Sequence, residues 1–184
     1  MLNKEKIASF NESYLATHKQ NLNFLGENLS KKNLDLNNVI NKLSDFQIAI
    51  PSWALGTGGT RFGRFPQGGE PNTLEEKIKD VGLLHALNRS SGAISLHIPW
   101  DIPEDYKKMK SLAHELDINF DAVNSNTFQD QPEAAYSYKF GSLSHIDKAV
   151  RKKAIQHNKE VIDHGIELGS KAVSYTHMTV PTKG

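Results

Sequence analysis

Cysteine is absent from the 184-residue chain, which excludes disulfides and thiolate metal sites and suits a cytoplasmic setting. Long apolar runs are missing as well. No stretch approaches the ~20 residues that a membrane helix needs. The opening MLNKEKIASFNESYL carries charges where a signal peptide has a continuous apolar segment, so neither a leader nor a membrane partner is expected. Charge of one sign is also lacking: the formal net charge is +1. The short basic clusters Lys31-Lys32, Lys107-Lys108 and Arg151-Lys152-Lys153 fall in helix-like stretches and read as solvated faces. Nucleic-acid binding shows as a broad basic stripe, which this chain does not have, so no nucleic acid is expected as a partner. Familiar catalytic signatures fail too. GTGGTR at 56–61 has Arg61 where G-x-G-x-x-G needs its third glycine, and no G-x-x-x-x-G-K-[ST], H-E-x-x-H or G-x-S-x-G occurs. No group of Asp, Glu and His at the predicted strand ends can hold a divalent metal unaided.

What is present suffices for one core, since 38% of the residues are apolar. The first 46 residues read as helical. Ile7, Phe10 and Tyr14 make one stripe; Leu36, Val39, Ile40 and Leu43 make a second, with Asp35 placed to cap it. The period then changes. QIAIPSW (47–53), AISLHIPW (93–100), INFDAVNSN (118–126) and KAVSY (171–175) read as strands. Between them lie helices. One starts at Thr73, which stands at capping-box spacing from Glu76, and has Leu74, Ile78, Val81 and Leu84 on its apolar face. The next covers EDYKKMKSLAHEL, with Pro103 in its first turn. The last runs from about Asp147 to Glu167 and stops at Gly169.

Alternation of this kind predicts an α/β fold with parallel strands and right-handed crossovers. It leaves two architectures open, the doubly wound sheet and the (β/α)₈ barrel. Both bind ligands at the C-terminal ends of the strands. PSWALGTGGTRFGRFPQGGEP (51–71), with six glycines and two arginines, leaves the C-terminal end of the first strand. Glycine loses more conformational freedom on ordering than any other residue, so so long a glycine-rich connection is expected to serve a binding site. Strand alternation puts Leu96, Ile98 and Trp100 on one face, and Ser95, His97 and Pro99 on the other. If helices cover the greasier face, Trp53 and His97 point inward near the mouth. An indole there suits the apolar face of a sugar ring. Asn124, Asn126 and Phe128 end the third strand, and amides bond well to hydroxyls. His157 and His164, seven apart on one helix face, read as surface histidines.

Four stretches in order, Ile50 to Glu70, SLHIPWD (95–101), FDAVNSNTF (120–128) and YKFGSLSH (138–145), resemble the bacterial L-rhamnose isomerase family, in its branch of broad specificity. The resemblance runs from about residue 1 to Ala172. It implies the first four β-α units, 47–173, of an incomplete (β/α)₈ TIM barrel, preceded by a helical segment, 1–46. It also implies a homotetramer in the cytoplasm that interconverts aldoses and ketoses with a divalent metal, manganese. Trp53, His97 and Phe128 align with residues lining the monosaccharide site. Phe62 aligns with an aromatic residue that closes the neighbouring subunit's pocket. Arg61 and Arg64 are expected to hold the loop or the interface. The family's metal ligands come from strands after the fourth and have no counterpart here, so no catalytic and no metal-binding residue is assigned to this chain. A barrel needs ~250 residues. Residues 174–184, SYTHMTVPTKG, depart from the family's pattern and are expected to be foreign sequence. The expectation is therefore an inactive N-terminal fragment of an isomerase, with a non-catalytic sugar-binding or interaction module on a half barrel as the alternative. A relative of abasic-site endonucleases would need a basic phosphate-binding stripe.

Overall fold

A computed structural model describes residues 3–55, 68–130 and 134–175. Two helices come first, α1 (Lys4–Ser30) and α2 (Leu36–Ser44). The Asp35 carboxylate accepts the Asn38 N–H at 2.8 Å, as its position before the α2 stripe predicts. These helices pack on each other, and their apolar stripes stay largely uncovered: Phe10, Phe24 and Leu43 are each about two-thirds exposed.

Four parallel strands follow, β1 (Ala49–Pro51), β2 (Ala93–Ile98), β3 (Asn119–Ser125) and β4 (Ala172–Tyr175), in the spatial order β1-β2-β3-β4. Helices α3 (Leu74–Asn88), α4 (Tyr106–Glu115) and α5 (Lys148–Leu168) connect them. Doubly wound sheets reverse their strand order at a switch point. This sheet does not, and the arrangement is consistent with part of a barrel. One core explains why the helices sit where they do. Ile94, Leu96 and Ile98 of β2, with Phe120 and Val123 of β3, pack against Ile78 and Val81 of α3, Met109 and Ala113 of α4, and Val161 and Leu168 of α5. Burying a side chain of this size is worth roughly 1.5–3 kcal/mol, so the alternating apolar residues of β2 fix which face the helices cover. Thr73 and Glu76 form the expected capping box. Gly169 ends α5 at φ +77°, a conformation that costs glycine little.

Strand phase is set by an irregularity. Ile94 pairs with Phe120, but Leu96 pairs with Val123, so β3 holds one extra residue. The extra residue keeps Val123 in the core and brings Asn124 level with His97.

Several expectations need correction. The first strand is three residues long, not seven. Gln47 lies before it, its side chain bonded to Ser44, Arg89 and Gly92. Trp53 lies beyond it in a 3₁₀ turn, Ser52–Ala54. Pro103 precedes α4, and the first turn is capped by Asp105 instead. On α3 the buried positions include Lys77 and His85, while Leu84 is half-buried. Strand β4 runs through Ser174 and Tyr175, as the reading of KAVSY predicts; residues 176–184 lie outside the described residues. Among the described residues no helix is long and apolar enough to cross a membrane. The basic pairs Lys31-Lys32 and Lys107-Lys108 are exposed, as solvated faces should be.

Candidate functional site

The side chain of His97 turns away from the helix-covered face, as alternation from Leu96 and Ile98 requires. Three aromatic rings surround it at the C-terminal end of the sheet. The Trp53 ring lies 5.3 Å from the imidazole, centroid to centroid, and the Trp100 ring 4.6 Å, both edge-on. Phe128 stacks at 5.8 Å with an interplanar angle of 20°. The sequence-predicted residues Trp53, His97 and Phe128 are thus brought together, although they come from three segments. Phe62, Arg61 and Arg64 lie outside the described residues.

Trp53 arrives by a different route from the one expected. Its ring is aimed by the 3₁₀ turn, since β1 has already ended. Trp100 corrects the face assignment outright. Strand β2 ends at Ile98, before a cis Ile98–Pro99 bond, and the chain folds back so that the N–H groups of Trp100 and Asp101 both donate to the His97 carbonyl. The turn carries Trp100 from the greasy face to the imidazole.

Below the rings lies a buried polar knot that the sequence reading missed. Asp101 is 1% exposed. Its Oδ1 receives Lys77 Nζ at 2.7 Å. Its Oδ2 accepts the His97 backbone N–H at 2.8 Å and the Ser52 hydroxyl. Lys77 and Ser52 are buried as well. A signal existed in Lys77, which stands three after Leu74 and four before Val81, inside the apolar stripe, where an unpaired ammonium would be costly.

Burial pushes the His97 imidazole down to about 4; His157 and Lys77 act in the same direction, and Asp101 opposes them. The ring is therefore neutral near pH 7. Its Nε2 is buried and has no partner. Asn126 donates from Nδ2 to the Gln129 carbonyl, leaving its own buried Oδ1 unpaired. His157 and His164 are not surface residues. His157 is half-buried and held below its ordinary value by burial, and His164 stacks on Tyr106 and bonds to its hydroxyl. The arrangement offers apolar ring faces beside unsatisfied hydrogen-bonding atoms, which suits a small ligand with both C–H and hydroxyl surfaces.

A divalent ion does not fit the described residues here. Both oxygens of Asp101 are engaged, and among the described residues no three of His, Asp and Glu stand together as a metal would require. A cleft of about 570 Å³, lined by residues such as Lys110, His114 and Asp121, opens where β2 and β3 begin. That is the end of the strands away from the aromatic rings, and the opposite of where parallel α/β folds bind their ligands.

No protein-family model matches the chain. Over 150 residues, 82% of its length, the chain is 48% identical to a probable sugar isomerase of Rhizobium meliloti (strain 1021). Over the same share it is 46% identical to a probable sugar isomerase of Mesorhizobium japonicum. Each alignment covers 35% of the relative, so the chain spans about a third of the length of the curated relatives it matches. Identity of this order over most of the chain supports a sugar isomerase family for it.

Proposed function

We propose that this chain forms one wall of the monosaccharide site in a metal-dependent aldose–ketose isomerase of the L-rhamnose type, built on the first units of a (β/α)₈ barrel. The observation that carries this reading is the ring cage around His97 at the C-terminal end of the strands. Trp53, Trp100 and Phe128 would pack on the C–H face of the sugar. The neutral His97 Nε2 and the Asn126 amide would bond to its hydroxyls. The manganese ligands would lie in the part of the relatives' length that this chain does not span. When bound, the ion polarises the sugar oxygens. A homotetramer in the cytoplasm, with Phe62 closing a neighbouring pocket, completes the proposal.

Two measurements on the purified chain test it. With manganese and L-rhamnose, no ketose is expected above a metal-free control; conversion would place catalytic groups in this chain and overturn the assignment. Titrating L-rhamnose against tryptophan emission should give a saturable change, because both tryptophans touch His97. His97→Ala should abolish it. A flat titration of the folded parent chain would remove the sugar site.

A further inference from the structure

The β1–β2 ladder ends at the pairing of Pro51 with Ser95, and proline has no N–H to extend it. Trp53 and His97 both lie past that point, on different segments. Trp100 needs no outside help, because the turn that follows β2 bonds back to the His97 carbonyl. Trp53 has no such turn of its own; its neighbour Ser52 supplies a hydrogen bond toward the β2 side through the Asp101 carboxylate. The group that spans the gap is Asp101. One carboxylate oxygen holds the His97 N–H and the Ser52 hydroxyl together, and the other is anchored by Lys77 from α3.

Burying a carboxylate and an ammonium is expensive, and an apolar pair of the same volume would join α3 to the sheet as well or better. What an apolar pair cannot do is accept a backbone N–H and a hydroxyl at one point. We propose that Asp101 is a positioning residue: its carboxylate locks the Ser52–Trp53 turn to His97, so that the ring cage stands assembled before a ligand arrives. That the cage receives a sugar rests on the reading above; the tie itself does not.

The chain contains two tryptophans. In a Trp100→Phe background Trp53 is the sole indole, and contact with a protonated imidazole quenches indole emission. The charged and titratable groups facing His97 are Asp101 from its own turn, Lys77 from α3 and His157 from α5. Ser52→Ala cuts the tie to the Ser52–Trp53 turn and changes none of them. The parent should show acid quenching with a midpoint about 4. In Ser52→Ala the quench should be lost, or its midpoint should rise toward the ordinary histidine value of about 6.5 as water reaches the ring. Unchanged quenching in Ser52→Ala, with native circular dichroism, overturns the proposal.

Asp101→Asn, which leaves Lys77 buried without its charge partner, gives a second arm where it keeps native circular dichroism. Loss of the carboxylate charge alone would lower the His97 midpoint, because Asp101 raises it. A loosened cage raises it. A rise supports positioning, and a fall or no change overturns it. Titrating L-rhamnose into chains that keep both tryptophans separates the two readings. A parent blind to L-rhamnose, with the acid results as expected, removes the sugar assignment and leaves the tie. Equal sugar responses in parent and Ser52→Ala remove the tie and leave the sugar assignment.

Discussion

The Lys77–Asp101 pair shows how much rides on single side chains. Removing one member of a buried ion pair typically costs 3–5 kcal/mol, about the whole stability of a marginal domain. Lys77→Met and Asp101→Ala are each expected to lower the denaturant midpoint sharply. The double variant should lose less than the sum, with a coupling of roughly 1–3 kcal/mol. Additive losses in urea titrations would mean that the two groups do not support each other. His97 makes a second prediction, in pH. Its folded value, about 4, lies below the ordinary 6.5, so the unfolded chain binds the extra proton first. Stability from this group is present above pH ~6.5 and is lost as pH falls toward 4; His157, also lowered by burial, acts in the same sense. Thermal midpoints should drop across that window, and His97→Phe should flatten the drop. Strand alternation made the inward orientation of His97 legible. Alternation puts Trp53 on the side where it is found, but a turn and not a strand aims it. Trp100 was unreadable by alternation, because the chain turns back one residue after β2 ends. Asp101 was equally hidden, as its partners come from Ser52, Lys77 and its own turn, all distant in any pattern of period two.

Whole elements were easier to read than their ends. The helices declare themselves through caps that act locally: Asp35, Thr73 with Glu76, and Asp147 each bond to the backbone within three residues. Strand β1 is shorter than its apolar run, because such a run says nothing about where ladder partners stop. The extra residue in β3 could not be seen either; it exists only as a register against β2. Between α3 and α4 the packing predicts a measurable contest. A Cβ on Gly82 would lie 2.9 Å from Leu116 Cδ1 and 3.0 Å from its Cβ. Alanine would gain about 0.8–1.0 kcal/mol of helix propensity. Overpacking costs typically 1–3 kcal/mol, and here the crowding reaches the Leu116 stem as well as its tip. Gly82→Ala should therefore destabilise by about 1 kcal/mol, and adding Leu116→Ala should relieve the contacts with Cγ and Cδ1 while leaving the 3.0 Å Cβ contact and opening a cavity. A Gly82→Ala variant that melts above the parent would show that α4 gives way freely.

At the scale of the molecule, two kinds of unsatisfied surface coexist. Among the described residues β1 and β4 each have one strand neighbour, so each presents an open edge. Helices α1 and α2 also expose Phe10, Tyr14, Phe24, Ile40 and Leu43. Apolar patches of more than a few hundred Å² are uncommon on monomers and favour association, as do bare strand edges. The two sources can be told apart. Strand β1 is three residues long and ends in proline, which blunts that edge. Among the described residues the helical stripes leave aromatic and leucine side chains largely exposed, so they should dominate. The purified chain is expected to show a weight-average mass that rises with concentration in sedimentation. Phe24→Asp with Leu43→Asp should suppress that rise while leaving the thermal midpoint nearly unmoved, because exposed substitutions usually stay within about 0.5 kcal/mol. If the mass still rises with both substitutions in place, association runs through the sheet edges, and the helical stripes are covered by each other more fully than their exposure indicates.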